Sequence, residues 1–325
     1  MKETDRRSFL KIAGTSIGVG ALFHFAPALG ASPAGGELAR VIKGRTGEAP
    51  RPFSFVQLSD THVGFNGPPN PLGTRAFEEA VRTINALPDA PDLILFTGDL
   101  THDSEDRGEH ASRMKKFQEI AGGLNVRNVK LIPGEHDAGL DGGTLFRSVF
   151  GETHYSFDHK GVHFVALDNV SRPKPEVGSE QIEWLKKDLA RYDASAPIVL
   201  FTHRPLFDLK PEWEWFTHDG EDVMNAVSAY RHVTVLYGHI HRRQVTPVNG
   251  TTHYGANSLI FAFPDPESGA EKKPLPFDRS RPFANLGVRQ VREGGPSVGI
   301  EEIALTAREF AGVAGIQQFS KKEIV

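Results

Sequence analysis

Five apolar runs in this chain end in residues that can hold a metal ion or move a proton. They deliver Asp60-Thr61-His62, Gly98-Asp99, Gly134-Glu135-His136-Asp137, Thr202-His203 and Gly238-His239-Ile240-His241. A single Asp or His after a strand is an ordinary turn residue, and Gly98-Asp99 alone reads as a turn closing Asp92 to Thr97. Five such endings in succession call for another account. The chain has no cysteine, so any metal must be held by imidazole, carboxylate, amide or backbone oxygen. Mixed nitrogen and oxygen donors suit Fe, Mn or Zn, and fit neither a soft-ligand copper site nor an all-oxygen calcium cage. Two such cations about 3.5–4 Å apart can clamp a phosphate, activate a hydroxide and stabilise a leaving oxygen, provided that a carboxylate is shared between them.

The elements that must position these residues alternate along the chain. Phe53 to Ser59 reads as a strand, Gly73 to Leu87 as a helix stopped before Pro88, and Asp92 to Thr97 as a strand buried on both faces. A polar loop with His102, Asp103 and His110 leads to a helix from about Glu109 to Ala121, then a strand from Asn128 to Ile132. Thr144 to Phe150 is a short helix, and Tyr155 to Asp168 a hairpin turning at Lys160-Gly161. A helix from Ser179 to Tyr192, a strand from Pro197 to Phe201, a helix from Glu221 to Tyr230 and a strand from His232 to Tyr237 follow. Short β runs are expected at Thr252 to Tyr254, Ser258 to Phe263, Leu286 to Val291 and Val298 to Ala304, with a loop from Pro264 to Pro282. Strand–helix alternation followed by hairpins predicts an α/β fold: two mixed β-sheets packed as a sandwich, with helices outside. One domain is expected over 53–310, with a tail at 311–325.

With 325 residues, 39% of them hydrophobic, the chain can bury a sizeable core. A net charge of −4 without a block of like charges argues against a nucleic-acid-binding surface. Asp5-Arg6-Arg7-Ser8-Phe9-Leu10-Lys11 resembles a twin-arginine export signal. The weakly apolar run from Ile12 to Leu29 is short and broken by glycines and Pro27, too interrupted for a stable transmembrane anchor. Cleavage is expected near Ala26-Pro27-Ala28 or Leu29-Gly30-Ala31, so that 1–31 is removed and 32–52 is a linker. The expected partners are the twin-arginine export machinery and a small substrate, and the expected location is the periplasm.

In order, Asp60-x-His62, Gly98-Asp99, Gly134-x-His136-Asp137, His203 and Gly238-His239-x-His241 resemble the blocks of the calcineurin-like metallophosphoesterase superfamily. The resemblance implies the αββα metallophosphoesterase fold, in agreement with the pattern above. It also implies a pair of divalent or mixed-valence ions: Asp60, His62, Asp99 and His241 on one, and residue 135, His203 and His239 on the other, with Asp99 bridging. His136 would lie beside the scissile phosphate as general acid or charge stabiliser, with Asp137 orienting it. The implied activity is hydrolysis of a phosphate mono- or diester by metal-bound hydroxide. The alternative is a non-catalytic metal-binding module that uses the same fold for interaction; retention of the ligand residue types argues for catalysis.

One position departs from the family pattern. Glu135 stands where the family has asparagine, and adds a negative charge beside two metals and an anionic substrate. Arg204 either offsets that charge by gripping phosphate or makes a surface ion pair. No tyrosine follows Asp99 at the place of the purple acid phosphatase chromophore; His102 stands there, as a supporting or solvent-facing group. His110, His154, His159, His163, His218, His232 and His253 read as surface or structural residues. Trp213-Glu214-Trp215-Phe216 reads as a packing cluster or as an aromatic wall over the site.

Overall fold

The computed structural model describes residues 53–293 and 298–305; the export segment, the linker and the tail expected from the sequence lie outside the described residues. Along the chain come β1 (Ser54–Leu58), α1 (Arg75–Asn85), β2 (Leu93–Thr97), α2 (Arg107–Ala121), β3 (Val129–Ile132), the one-turn α3 (Glu135–Ala138) and α4 (Thr144–Phe150). A hairpin of β4 (Tyr155–His159) and β5 (Val162–Ala166) precedes α5 (Ser179–Leu189), β6 (Pro197–Phe201) and α6 (Gly220–Val227). Then come β7 (His232–Tyr237), β8 (Gln244–Val248), β9 (Thr251–Gly255), β10 (Gly287–Glu293) and β11 (Val298–Ala304).

Two mixed sheets result, ordered β11-β10-β1-β2-β3 and β4-β5-β6-β7-β9-β8. In the first, β1, β2 and β3 are parallel, and β10 joins β1 antiparallel. In the second, β5, β6, β7 and β9 are parallel, with antiparallel β4 and β8 at the edges. Phe55, Leu93 and Leu95 of one sheet pack against Phe164, Val199, Phe201 and Leu236 of the other. Phe55 meets Phe164 edge-on, with ring centroids 5.5 Å apart. The alternate residues of the same strands face outward. Phe96 packs with Phe77 of α1 and Phe117 of α2, while Val165, Leu200 and Val235 pack under Leu185 and Leu189 of α5 and Val223 and Val227 of α6. Both faces of the central strands are therefore covered, which explains their unbroken apolar runs.

The expected hairpin turn is present, with Lys160 and Gly161 both at positive φ (47° and 85°) as a two-residue turn requires. One expectation fails: Ser258 to Phe263 is a loop, not a strand. Its backbone is used differently, since Leu259 N–H donates to the Asp60 carbonyl at 3.2 Å. Phe261 packs its ring on His241 at 4.7 Å. Among the described residues no helix is long and apolar enough to cross a membrane.

Candidate metal centre

The carboxyl ends of β1, β2, β3, β6 and β7 lie at one edge of the sandwich, where an open α/β sheet presents its ligand site. Each delivers one of the donor blocks. The backbone there is strained: Asp60, His62, Asp99, His239 and His241 all have positive φ, at 54°, 41°, 49°, 64° and 50°. Non-glycine residues persist in that region only where surrounding contacts over-determine them, commonly at functional sites. The contacts are explicit. Asp60 N–H donates to the Gly98 carbonyl at 3.0 Å, His62 N–H to the Asp99 carbonyl at 2.9 Å, and His239 N–H to Asp60 Oδ1 at 3.1 Å. A side chain at Gly134 would collide with the Asp99 carboxylate, and one at Gly98, whose φ is 93°, with the His203 ring. The glycines of these blocks thus give the donors room to meet.

Among the described residues four overlapping donor groups form, and two of them divide the strand-end residues. Asp60, His62, Asp99 and His241 make one, all buried; Glu135, His203 and His239 make the other. Asp99 Oδ2 lies between them, 3.3 Å from His62 Nε2 and 3.4 Å from His203 Nε2. Its other oxygen accepts the His136 N–H at 3.0 Å, which fixes the orientation of the carboxylate. Elsewhere His241 Nε2 is 3.2 Å from His62 Nε2 and 3.3 Å from Asp60 Oδ1. Glu135 Oε1 is 2.7 Å from His239 Nδ1, and Oε2 is 2.9 Å from His203 Nε2.

Backbone carbonyls hold the imidazoles. The Nδ1–H of His203 donates to Thr97 O (2.7 Å), the Nδ1–H of His241 to Phe261 O (3.0 Å), and the Nε2–H of His239 to Glu214 O (3.3 Å). With those protons placed, the other nitrogen of each ring turns a lone pair inward, as metal-bound histidines do. Glu135 Oε2 and His203 Nε2 are both buried and neither makes a hydrogen bond, although they are neighbours. Two electron-pair donors brought this close need a positive charge between them, a proton or a shared cation. Electrostatics agrees. Burial opposes charge on His203, yet Asp99 and Glu135 pull a proton to it strongly enough to raise it well above the imidazole range; a metal cation answers the same demand. Burial and the imidazoles of His136, His241 and His102 push His62 well below that range, into the neutral form a ligand needs. The donor set fits Fe, Mn or Zn.

Around these donors the structure refines the sequence reading. His136 sits in the site as expected, but its Nδ1 meets Asp103 Oδ1 at 2.5 Å, not Asp137. Asp137 is a buried brace: its carboxylate accepts N–H bonds from Gly134 (2.9 Å), Leu100 (2.9 Å) and Thr101 (2.8 Å), and the Thr101 hydroxyl at 2.8 Å. The one-turn α3 explains the exchange, because it turns residues 136 and 137 to different sides. Asp103 was legible only as a polar residue four places after Asp99, in a loop. Burial works against a proton on His136, but Asp99, Glu135 and Asp103 outweigh it and raise the group to about 9. His102 belongs to the site's surroundings, stacked on His136 at 4.7 Å with Nδ1 3.3 Å from His62 Nδ1.

Arg204 lies 3.4 Å from Glu135 Oε1 and donates to Glu214 O at 2.9 Å, so it offsets the Glu135 charge directly. Burial would raise the Glu135 carboxyl, but His239, His203 and Arg204 hold it well below the carboxylate range. The aromatic wall is not formed: Trp215 is fully buried, and with Trp213 it packs against Tyr237 and Ile240. Glu214 between them takes a left-handed turn (φ 59°) and aims its carbonyl at His239 and Arg204. His110, His163 and His253 are structural: His110 meets Thr101, His163 is held between Asp158 and Asp188, and His253 is in the core.

Fold and site together define a metal-dependent hydrolase of phosphoric esters. Residues 53–243, more than half of the chain, match the calcineurin-like phosphoesterase family, and the chain belongs to it. A relative named "Probable glycerophosphodiester phosphodiesterase GpdQ", from Arcobacter nitrofigilis, is 28% identical over 205 residues, covering 59% of this chain and 72% of that protein. A "Probable cyclic nucleotide phosphodiesterase" of a Synechococcus species is 27% identical over 240 residues, 70% of this chain and 88% of that one. Among solved structures, purple acid phosphatase PPD1 from yellow lupin superposes with a TM-score of 0.59 at 16% identity, over 78% of this chain and 52% of that one. This chain thus spans about half the length of the lupin enzyme. A dimetal phosphatase from Danio rerio gives 0.52 at 15% identity, over 78% and 99%. At such identities the likeness is one of fold.

Proposed function

We propose that this protein is an exported dinuclear metallophosphoesterase that hydrolyses a phosphate ester. The observation that carries the reading is the Asp99 carboxylate, with one oxygen about equally distant from His62 of one donor group and His203 of the other. Asp60, His62, Asp99 and His241 would hold one ion, and Asp99, Glu135, His203 and His239 the second. When bound, the ions supply positive charge that polarises the phosphoryl group and acidifies a water. In the reaction the water oxygen bonds to phosphorus, the phosphorus–oxygen bond to the alcohol breaks, and the alcohol leaves with a proton.

His136 is suited to provide that proton. With cations offsetting Asp99 and Glu135, Asp103 becomes the carboxylate that keeps its imidazole protonated, and the Asp103 contact through Nδ1 leaves Nε2 as the proton-bearing atom at the leaving oxygen. Asp137 holds the Gly98 and Gly134 blocks together through four hydrogen bonds and stands outside the chemistry. Arg204 balances Glu135. The Arg6-Arg7 sequence supports delivery of the folded chain to the periplasm. The test is metal analysis of the purified protein with an assay on mono- and diesters. Two ions per chain and ester hydrolysis are expected; a loaded protein that cleaves neither ester class would refute the reading.

A further inference from the structure

Glu135 gives the site a charge that bears on which phosphate esters it accepts. It lies at the partly open side of the site, with its side chain 26% exposed, while Asp60, Asp99 and His203 behind it are sealed. One oxygen contacts His239 and Arg204, and the other faces His203. An ionised carboxylate only accepts hydrogen bonds, so Glu135 has no N–H to offer a phosphoryl oxygen, as an amide at this position would. Two divalent ions set against Asp60, Asp99 and Glu135 leave a net charge of about +1; with an amide at 135 it would be about +2.

The nearby cations are tied to other groups and keep the same charge whether residue 135 is a carboxylate or an amide, so the one-unit difference stands. The guanidinium of Arg204 is turned to Glu135 and to the Glu214 carbonyl. Lys272, from the loop after β9, donates its ammonium to the Trp213 carbonyl at 2.5 Å. His136 serves the oxygen of the leaving alcohol.

We propose that Glu135 makes this protein a phosphodiesterase that discriminates against phosphate monoesters, an inference that rests on the dinuclear reading above. A diester carries one negative charge and a monoester two at pH 8. The fixed Glu135 carboxylate therefore sets one extra unit of repulsion against the monoester, worth at least about tenfold at the effective dielectric of a partly buried site. Specificity here comes from a repulsive element, not from an added contact. The same charge acts on the product. Hydrolysis of a diester turns a monoanion into a monoester dianion, so Glu135 admits the substrate and disfavours what is made from it. The reaction stops after one bond, and a separate monoesterase must consume the product.

The test compares the metal-loaded wild type with Glu135→Gln, which keeps the length and an oxygen donor but loses the charge, and with Glu135→Asp, which keeps the charge. Three quantities are read at pH 8: metal content, the ratio of kcat/KM for bis(4-nitrophenyl) phosphate to that for 4-nitrophenyl phosphate, and calorimetric affinity for inorganic phosphate against dimethyl phosphate. The wild type is expected to prefer the diester. Glu135→Gln should keep both ions, lower the diester-to-monoester ratio at least about tenfold, and tighten inorganic phosphate at least about tenfold more than it tightens dimethyl phosphate. Glu135→Asp should keep the wild-type preference. An unmoved ratio and phosphate affinity in Glu135→Gln would overturn the inference alone, as would an equal shift in Glu135→Asp or loss of an ion from Glu135→Gln. A loaded wild type that cleaves neither ester would overturn the phosphoesterase reading, and the inference with it.

Discussion

The imidazole Nδ1 of His136 lies 2.5 Å from Asp103 Oδ1, joining the short helix after β3 to the loop after β2. Asp103 is a positioning residue: it touches neither donor group, but it keeps His136 oriented and protonated. An acid of this kind is active while it holds its proton, so it sets the basic limb of the activity profile. Asp103→Asn removes a carboxylate that raises His136. The basic limb should therefore move to lower pH and kcat fall by about 10–100-fold, with both ions retained. In a His136→Ala background, itself about 10²–10⁴-fold slower, Asp103→Asn should cost almost nothing more. Additive losses in the double variant would separate the two residues.

Asp99 Oδ2 lies 3.3 Å from His62 Nε2 of one donor group and 3.4 Å from His203 Nε2 of the other. Asp99→Ala should therefore reduce metal content from two ions per chain toward none, and His241→Ala toward one. Elemental analysis of the dialysed proteins decides it. Two ions in the Asp99 variant would remove its bridging role.

A third prediction lies away from the site. His253 is fully buried against Phe207, with neither ring nitrogen hydrogen-bonded, and burial lowers it to about 4. An unfolded histidine titrates near 6.5. Between those values the unfolded chain binds a proton that the folded chain refuses, so stability is lost as pH falls through that window. The loss from pH 7 to pH 5 should be about 2 kcal/mol from this residue. His253→Leu should remove that component and cost little at pH 7, because the buried nitrogens have no partners to strand. Urea unfolding of both proteins at the two pH values measures it; parallel losses would acquit His253.

Export is testable without the site. Replacing Arg6 and Arg7 together with lysine should leave a folded, unprocessed precursor in the cytoplasm, visible by fractionation and blotting. Undiminished mature protein in the periplasm would sink the twin-arginine route.

The donor blocks were readable from the chain because each is local: an apolar strand, then a glycine or polar turn, then Asp, His or Glu. The same locality made β6 and β7 legible to the residue, Pro197–Phe201 and His232–Tyr237, and the covered faces of β1 to β3 explain why hydrophobicity announced them. Tertiary structure decided what depends on side-chain direction across distant segments. Asp137 adjoins His136 in sequence and Asp103 lies in the loop after β2, and only the turn of α3 sends His136 to Asp103 and Asp137 to the Gly98 loop. Trp213 and Trp215 were aromatic beside the site in either reading, and burial against Tyr237 and Ile240 settled them as packing. Ser258 to Phe263 had the composition of a strand, but its backbone and carbonyls are engaged by Asp60 and His241, which lie far from it along the chain or behind a turn. The left-handed geometry of Asp60, His62, Asp99, His239 and His241 is likewise a product of contacts between strands, since no local propensity of Asp or His would hold five such residues there at once.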